Sequence, residues 1–373
     1  DERVQWIEAR HDAWLRAADD PNGSREVWQD ADKPYQFLAF CFEYADAHRL
    51  GSKFRSRLPI ALDGSCNGLQ HFSAMLRDRV GGAAVNLPPG DNPADIYQDV
   101  ADVCTRKLLG LRSLNNDEHG GAVNWLAMLK HTQGDEKMPR KLPKKPVMTL
   151  PYGSTQQACT DSIFSWIQET DKDFFEENTA FRHALYLSPK LWAAISEVVI
   201  AAREAMDWIQ DCSSILAKEG HPIHFTTPLG FPMQQSSRKF VTRQIETQIN
   251  GRLQLRFAKD TDQLDSRKQR QGSSPNFVHS IDATHAVMCV NAGSKEGIDS
   301  FAIVHDDFGT HACYIDKFQE VIREQFVYLH GSHDLLQNFK DEHEDRYGLE
   351  LPSLPSKGDL DINEVLKSLY FFG

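Results

Sequence analysis

The sequence predicts an α+β protein, predominantly helical, in which a small sheet is interrupted by a long helical insertion. Two apolar runs, Leu58 to Leu62 and Phe301 to Val304, have the length and composition of short buried strands. An aspartate follows each run, Asp63 in the first case and Asp306 in the second. Between them, residues 79–279 mostly follow the periodicity of amphipathic helices. We therefore expect one platform made from both ends of the chain and a second lobe made from its middle.

Composition excludes several classes of protein. The 373 residues are 40% hydrophobic and 25% charged, as in an ordinary globular protein. No apolar run approaches the roughly 18 residues of a membrane span, so we expect no membrane partner. The seven cysteines are scattered without a CxxC pair, which argues against a zinc site or disulfide frame and favours a reducing cytoplasm. Because the chain starts at Asp1 without a leader sequence, we expect a piece of a longer polypeptide.

The charge distribution is uneven. The net charge is −12, yet basic residues cluster in the middle of the chain. The clusters are Lys137, Arg140, Lys141, Lys144 and Lys145; Arg238, Lys239 and Arg243; and Arg252, Arg256, Arg267, Lys268 and Arg270. Such stripes suit contact with phosphate while the rest of the molecule stays acidic. For any one cluster, solvated surface is the simpler interpretation.

The two ends of the chain alternate helices and strands. Residues 1–78 begin with two amphipathic helical stretches, and the strand before Asp63 follows. Residues 280–373 resume with the helical segment "IDATHAVMCVNA", then the second strand, then the helix "DKFQEVIREQFVYLH". Gly309 is expected to interrupt the chain soon after that strand.

Strand-end carboxylates suggest a metal. They lose hydration and repel each other unless a cation is present. If the fold brought Asp63 and Asp306 together, they would suit a hard divalent ion, above all Mg²⁺. Paired ions of this kind activate an attacking hydroxyl and neutralise a departing pyrophosphate. The His-Asp dipeptide alone is a weak signal, because it recurs at His11 and His333. Asp307 fits a metal contact, a capping residue or a solvent-facing residue.

The segment "RKLPKKPVMTLPYGS", which starts at Arg140, is a candidate for binding phosphate. Arg140, Lys144, Met148 and Tyr152 recur every four residues, so a helix would align them on one face. Two cations one turn apart can clamp a triphosphate, and the aromatic side chain can cover a sugar or base. Pro151 must kink or end such a helix just before Tyr152. A basic surface helix stopped by proline fits the same residues.

Residues 240–257, "FVTRQIETQINGRLQLRF", predict a two-stranded ribbon. Asn250-Gly251 is a favoured two-residue hairpin turn, because both positions tolerate positive φ. Six odd positions are apolar: Val241, Ile245, Ile249, Leu253, Leu255 and Phe257. The polar residues fall at even positions: Gln244, Glu246, Gln248, Arg252, Gln254 and Arg256. Such a ribbon can read base edges in a major groove, although an ordinary solvent-facing hairpin fits the pattern as well.

Taken together, these motifs resemble the single-subunit RNA polymerases of bacteriophages, which are related to those of mitochondria. The matching stretches keep the family's order and span nearly the whole chain. They are "QFLAFCFEY" (36–44), "DGSCNGLQHFSAMLRD" (63–78), "GGAAVNL" (81–87), "KKPVMTLPYGS" (144–154), "SPNFVHS" (274–280) and "VHDDFGT" (304–310). The combination is a far stronger signal than any single motif.

The resemblance implies a right-hand polymerase fold and a DNA-directed RNA polymerase. The palm would consist of residues 1–78 and 280–373. The fingers would consist of residues 79–279, in which the 240–257 ribbon is the specificity hairpin. The family's thumb and N-terminal promoter-binding domain lie upstream of these motifs and would be absent. The implied partners are DNA template, promoter, nascent RNA, ribonucleoside triphosphates and those upstream domains of the same polymerase. Without them, we expect the fragment to bind nucleotide and metal yet be unprocessive or inactive.

The resemblance also implies roles for individual residues. In that family, the aspartates matching Asp63 and Asp306 bind two Mg²⁺ ions, and the Gly64 carbonyl is a further ligand. The residues implied to contact the nucleotide are Arg140, Lys144 and Lys145 at the phosphates, Tyr152 and Gly153 at the ribose and base, and Tyr97 and His279 lining the site. Asp63, Asp306, Lys144 and Tyr152 are the catalytic candidates. The residues assigned to DNA are Arg243, Gln244, Arg252, Gln254 and Arg256. Asp307 departs from the family's pattern, which has serine after the aspartate.

Three alternatives remain at this point. A DNA polymerase of the related type can share the strand-end aspartates and the histidine-aspartate turn. Against it, Asp63 is followed by Gly-Ser-Cys, without the bulky residue and glutamate that would exclude the 2′-hydroxyl. A non-catalytic fragment retaining the fold is the second, although the matched catalytic positions are intact. A metal-dependent phosphohydrolase would need more clustered histidine ligands. The expected location is the cytoplasm of a phage-infected bacterium.

Overall fold

The computed structural model describes residues 6–114, 118–176, 179–248 and 253–372. Helices account for 61% of these described residues, which confirms the predicted predominantly helical α+β class. The helices are α1 His11–Asp19, α2 Arg25–Trp28, α3 Pro34–Leu50, α4 Asn67–Leu76, α5 Arg79–Ala84, α6 Ile96–Ser113, α7 His119–Gln133, α8 Lys141–Thr149, α9 Gln156–Asp171, α10 Ala180–Val198, α11 Ile200–Lys218, α12 Ser266–Lys295, α13 Ile315–Ser332 and α14 Leu335–Tyr347. The strands are β1 Pro59–Asp63, β2 Ile223–Thr226, β3 Pro232–Gln235, β4 Arg238–Thr247, β5 Leu253–Leu264, β6 Ala302–Val304 and β7 Asp307–His311.

The chain forms two compact units. The first contains Asp1–Asp63 and Val290–Val321, and the second contains Gly64–Cys289 and Ile322–Gly373. Both units are therefore discontinuous in sequence. The boundaries of palm and fingers inferred from the resemblance fall at other positions and stay a prediction.

The first unit contains a three-stranded antiparallel sheet with the order β1-β7-β6. Both expected strands are present, as β1 and β6, but the expectation that they are buried was wrong. In β1 only Leu62 is buried, and Val304 at the end of β6 is 65% exposed. The central strand is β7, in which Phe308 lies opposite Leu62 of β1 and is fully buried. Its ring packs against Phe318 at the start of α13, with 6.2 Å between ring centroids.

Gly309 does not interrupt the chain, and that expectation was wrong. Residues 307–311 form β7, and Gly309 pairs with Ala61 on one side and with Ala302 on the other. A Cβ at position 309 would lie 2.7 Å from the carbonyl oxygen of Ala302. The glycine is therefore required by the close approach of β6, a recognised use of glycine inside a strand.

Aromatic packing holds the N-terminal helices of the first unit together. Trp14 of α1 is almost fully buried and packs edge-on against Phe40 and Tyr44 of α3, with ring centroids 5.1 and 5.0 Å away. Helix α3 begins at Pro34, where the missing N–H is not needed, and ends before Gly51, whose φ of 54° suits glycine.

Three neighbouring histidines form a cluster in the core of the second unit. His71 of α4, His285 of α12 and His330 of α13 are at most 3% exposed. His71 Nδ1 and His330 Nε2 share a hydrogen bond of 2.9 Å, and His285 Nε2 donates to the Ile322 carbonyl. Burial lowers the pKa of His285 to about 4. Burial first, and then the neighbouring histidines, hold the pKa values of His71 and His330 well below the ordinary value.

The C-terminal segment packs against the start of α4 in the second unit. Gly64 forms an antiparallel bridge with Phe372. The side-chain amide of Gln70 donates to the carbonyls of Val85 and Phe371 at 3.0 and 2.9 Å. These contacts hold the residues that follow Asp63 in the chain.

Strands β4 and β5 form the predicted two-stranded ribbon. It is longer than expected, because pairing continues to Arg238 and Leu264 through an irregularity next to Arg238. The predicted Asn250-Gly251 turn, Ile249 and Arg252 lie outside the described residues.

Within the described ranges, no single helix is both long and apolar enough to cross a bilayer. Helices α10 and α11 meet that test only as a pair, and they are bent by 100° relative to each other.

Candidate active site

The sheet of the first unit brings the strand-end aspartates together. In the pairing of β1 with β7, Asp63 lies directly opposite Asp307. Only His305 and Asp306 separate β6 from β7. Asp306 is therefore the turn residue immediately before Asp307, which pairs with Asp63. His305 has a φ of 57°, a left-handed conformation that few residues other than glycine adopt. Strand pairing thus places Asp63 next to two consecutive aspartates that are remote from it in sequence.

These carboxylates fit a divalent cation. Directly opposed like charges destabilise a strand pair, and the Oδ1 atom of Asp307 is buried without a hydrogen-bond partner in the described structure. No group of three or more His, Cys, Asp or Glu side chains within the described ranges is arranged to hold a metal ion. Mg²⁺ differs from other metals here, because it usually takes one or two carboxylates and completes its shell with water and substrate phosphate. The donor set of Asp63 and Asp306 suits that ion.

In the second unit, α8 presents a basic surface. Its buried face consists of Leu142, Pro143, Pro146, Val147 and the following Leu150. The exposed face carries Lys144, Lys145 and Met148. The periodicity therefore predicted the face correctly for Lys144 and Met148.

Arg140 and Tyr152 lie beyond the ends of α8. Arg140 is its N-terminal cap, and the helix ends at Thr149. Pro151 has no N–H with which to continue the hydrogen-bond ladder, so Tyr152 lies in a turn and donates its backbone N–H to Thr149 at 3.2 Å. The expectation that Pro151 ends the helix before Tyr152 is therefore confirmed, and the alignment on one helix face does not extend to Tyr152.

Arg140 is held by a residue that the sequence reasoning missed. Its Nε donates to Asp95, and its guanidinium lies 4.9 Å from the centre of the Tyr97 ring. Asp95 also caps α6, because one carboxylate oxygen accepts from the backbone N–H groups of Tyr97 and Gln98 at 3.1 and 3.2 Å. The sequence contained a signal for the capping role of Asp95, since aspartate before a helical segment is a typical N-cap.

Tyr152 stacks on His279. The ring centroids are 4.3 Å apart and the ring planes differ by 6°. His279 comes from α12 and is exposed, whereas Tyr152 is half-buried. The structure thus brings together two residues that the resemblance assigned separately to the nucleotide.

Gly153 permits the turn that presents Tyr152. Its φ is 82°, and a Cβ at this position would lie 2.8 Å from Pro275 Cγ of α12. A larger residue would be strained by both conformation and contact. Gly153 is therefore placed beside the stack as a structural residue, and its predicted contact with nucleotide stays a prediction.

The ribbon has the two faces that the alternation predicted. Gln244 pairs with Arg256, and Glu246 pairs with Gln254, so these polar residues share one face. Gln254 donates to Glu246 at 2.9 Å. Arg243 pairs with Phe257 on the opposite face, alongside Ile245 and Leu255. Arg243 therefore lies on the face opposite to the polar residues that were predicted to read bases. All the DNA contacts, including that of Arg243, stay predictions.

Comparison with known proteins identifies relatives over the full chain. The family model described as DNA-dependent RNA polymerase matches residues 1–351. The chain is 37% identical to "DNA-directed RNA polymerase 1B, mitochondrial" of Nicotiana tabacum, over 99% of this chain and 36% of that protein. It is 38% identical to "DNA-directed RNA polymerase 2, chloroplastic/mitochondrial" of Arabidopsis thaliana, over 100% of this chain and 36% of that protein. It is 35% identical to the "DNA-directed RNA polymerase" of Enterobacteria phage T3, over 100% of this chain and 46% of that protein. The chain thus spans less than half the length of each of these relatives.

Proposed function

Because this chain belongs to the DNA-dependent RNA polymerase family, we propose that it forms the catalytic region of a DNA-directed RNA polymerase. The reaction transfers a nucleotidyl unit from a ribonucleoside triphosphate to the 3′-hydroxyl of a nascent RNA, on a DNA template. In this proposal, residues 1–78 and 280–373 form the palm of a right-hand polymerase and residues 79–279 form its fingers. Promoter DNA and the upstream N-terminal and thumb domains of the same polymerase are further partners.

The observation that carries the proposal is the strand pairing that sets Asp63 opposite Asp307 and beside Asp306. Asp63 and Asp306 would hold a pair of Mg²⁺ ions, with the Gly64 carbonyl as a further ligand. When bound, these ions activate the attacking hydroxyl and neutralise the departing pyrophosphate. Asp63 belongs to β1 and Asp306 to the turn before β7, so the pairing of β1 with β7 would set where the ions are held.

The exposed face of α8 binds the triphosphate. Lys144 and Lys145 supply compact charges. Arg140 donates Nε to Asp95 and lies over Tyr97, so its guanidinium is oriented before nucleotide arrives. The Nη groups of Arg140 then donate to phosphate oxygens, the geometry that guanidinium favours.

Tyr152 selects the sugar. Its ring is fixed by stacking on His279, so its hydroxyl has a defined position for the ribose 2′-hydroxyl. A site that hydrogen-bonds a substrate hydroxyl rejects the analogue without it strongly, because a buried polar group is then left without its partner.

RNA-primer extension on a DNA template tests the proposal. In the natural full-length polypeptide, Asp306→Asn should lower incorporation of ribonucleotides by about a hundredfold to a thousandfold, as for other losses of charge stabilisation at the reacting atoms. Asp316→Asn is the matched control, because Asp316 is an exposed aspartate in the first turn of α13. Equal activity of the Asp306 variant and the wild type would refute the proposal. Preferential use of deoxynucleotides by the wild type would assign the chain to DNA synthesis.

The cellular location also stays a prediction. The relatives include a phage enzyme and plant enzymes named as mitochondrial or chloroplastic. We retain the cytoplasm of a phage-infected bacterium as the proposed location.

A further inference from the structure

Three segments of the second unit meet behind the Tyr152–His279 stack. The start of α4 contributes Gly68, where a Cβ would lie 2.7 Å from Pro151 and 3.1 Å from Tyr152 Cζ. Tyr152 Cζ is the atom that carries the phenolic hydroxyl. The backbone at Gly68 therefore limits where that hydroxyl can lie, while His279 of α12 fixes the plane of the ring.

A buried hydrogen bond joins two of these segments. The side-chain amide of Asn67 donates to the carboxylate of Asp282, and the two residues are only 1% and 6% exposed. Asn67 immediately precedes Gly68. Asp282 follows His279 by three residues on α12, so the two lie on neighbouring positions of one helix face. The bond thus ties the residue before Gly68 to the helix that supplies the stacking partner.

The Asn67 side chain depends on this one contact. Its Oδ1 atom is buried and has no hydrogen-bond partner in the part of the chain that the structure describes. The Nδ2 bond to Asp282 is charge-assisted, a class that is shorter and stronger than a bond between neutral groups. Loss of that bond would leave both polar atoms of the Asn67 side chain without a hydrogen-bond partner in the described structure.

We propose that Asn67 and Asp282 are positioning residues for sugar selection. They act through Gly68 and His279, by holding the Tyr152 hydroxyl where it meets the ribose 2′-hydroxyl. The inference rests on the proposed function, because it assumes that Tyr152 faces the sugar of the incoming nucleotide. Neither residue is assigned a contact with substrate.

An exchange of the donor and the acceptor tests the role. In the natural full-length polypeptide, kcat/KM is measured for a ribonucleotide and for the matching deoxynucleotide in Mg²⁺. Asn67→Asp places two carboxylates together and should lower the ratio of the two values by about tenfold, the size expected for one charge-assisted hydrogen bond. The double variant Asn67→Asp/Asp282→Asn restores one donor and one acceptor and should return the ratio to near the wild-type value.

Two controls separate the possible outcomes. Tyr152→Phe should lower the same ratio, and a wild type that incorporates no ribonucleotide would refute the proposed function rather than this inference. A purely structural role would lower both kcat/KM values together and leave their ratio unchanged, which would overturn the inference. If Asn67→Asp melts far below the wild type, Asp282→Asn replaces it, because this variant keeps the shape and removes only the charge. An unchanged ratio in Asp282→Asn, with a lowered ratio in Tyr152→Phe, would also overturn it.

Discussion

Asp307 stands where the resemblance to the phage polymerases implies a serine. Its Cα lies opposite that of Asp63 in the sheet, and its Oδ1 atom is buried without a hydrogen-bond partner in the described structure. A third carboxylate at this place increases the repulsion when no metal is bound and increases the attraction for a cation when one is present.

Asp307→Ser should therefore have opposite effects with and without metal. In a chelating buffer, the variant should be more stable than the wild type by about 0.2–1 kcal/mol, because a directly opposed like-charge pair is removed. On addition of Mg²⁺, the wild type should gain more stability than the variant. Thermal melting in EDTA and in Mg²⁺ measures both effects, with Asp316→Ser as a matched exposed control. Equal metal-induced shifts in the wild type and the variant would show that Asp307 does not contribute.

At the scale of elements, the β4–β5 ribbon separates two kinds of arginine. Arg256 shares the polar face with Gln244 and Gln254, whereas Arg243 shares the other face with Phe257. Only the polar face has a side-chain set suited to bidentate contacts with base edges.

Substitutions on the two faces should differ in kind. Gln254→Ala or Arg256→Ala should weaken the free energy of promoter preference by about 1–3 kcal/mol per lost base contact. Elongation from a tailed template should be unchanged. Arg243→Ala should affect both templates equally if it contacts phosphate. Transcription from the two templates measures the difference. Loss of promoter preference in Arg243→Ala alone would mean that the base-reading face has been assigned to the wrong side of the ribbon.

The histidines contributed by α4, α12 and α13 make the second unit sensitive to acid. His71, His285 and His330 are neutral in the folded protein, since burial lowers their pKa values below the ordinary value of 6.5. Below that pH the unfolded chain takes up protons that the folded chain does not. The second unit therefore has its full free energy of unfolding above pH 6.5, and this free energy decreases as the pH falls toward 4.

The free energy of unfolding should fall between pH 6.5 and pH 5 by up to about 1.4 kcal/mol per pH unit for each histidine. Urea titrations across this range measure the slope. His285→Gln removes one of these histidines and should reduce the slope by up to about 1.4 kcal/mol per pH unit. His119→Gln, at an exposed position, serves as the control. A slope unaffected by His285→Gln would contradict this account of the acid sensitivity.

Local signals predicted local elements and failed where distant segments meet. The prolines around α8 and the alternation along the ribbon were enough to predict those elements. Strand β7 was missed because Gly309 looks like a break, and the reason for a glycine there is the carbonyl of Ala302 on another strand. Asp95 was overlooked as the partner of Arg140, 45 residues later in the chain.

At the scale of the whole molecule, both compact units are built from separated stretches of sequence. The strand-end aspartates belong to the first unit, and the basic helix α8 and the Tyr152–His279 stack belong to the second. The motif order was sufficient to predict the family, because the combination of motifs is a far stronger signal than any single one. The buried histidines and the Asn67–Asp282 bond carry no such local signal, because helices remote in sequence contribute the partners.

The central claim is that Asp63 and Asp306 bind the same divalent ions. Binding of Mn²⁺, followed by electron paramagnetic resonance in the presence of nucleotide, tests it most directly. Asp63→Asn and Asp306→Asn should each weaken binding by at least about tenfold, and the double variant should be much less impaired than the sum of the two effects. Mn²⁺ affinity that is unchanged in either single variant, or losses that simply add in the double variant, would contradict the claim.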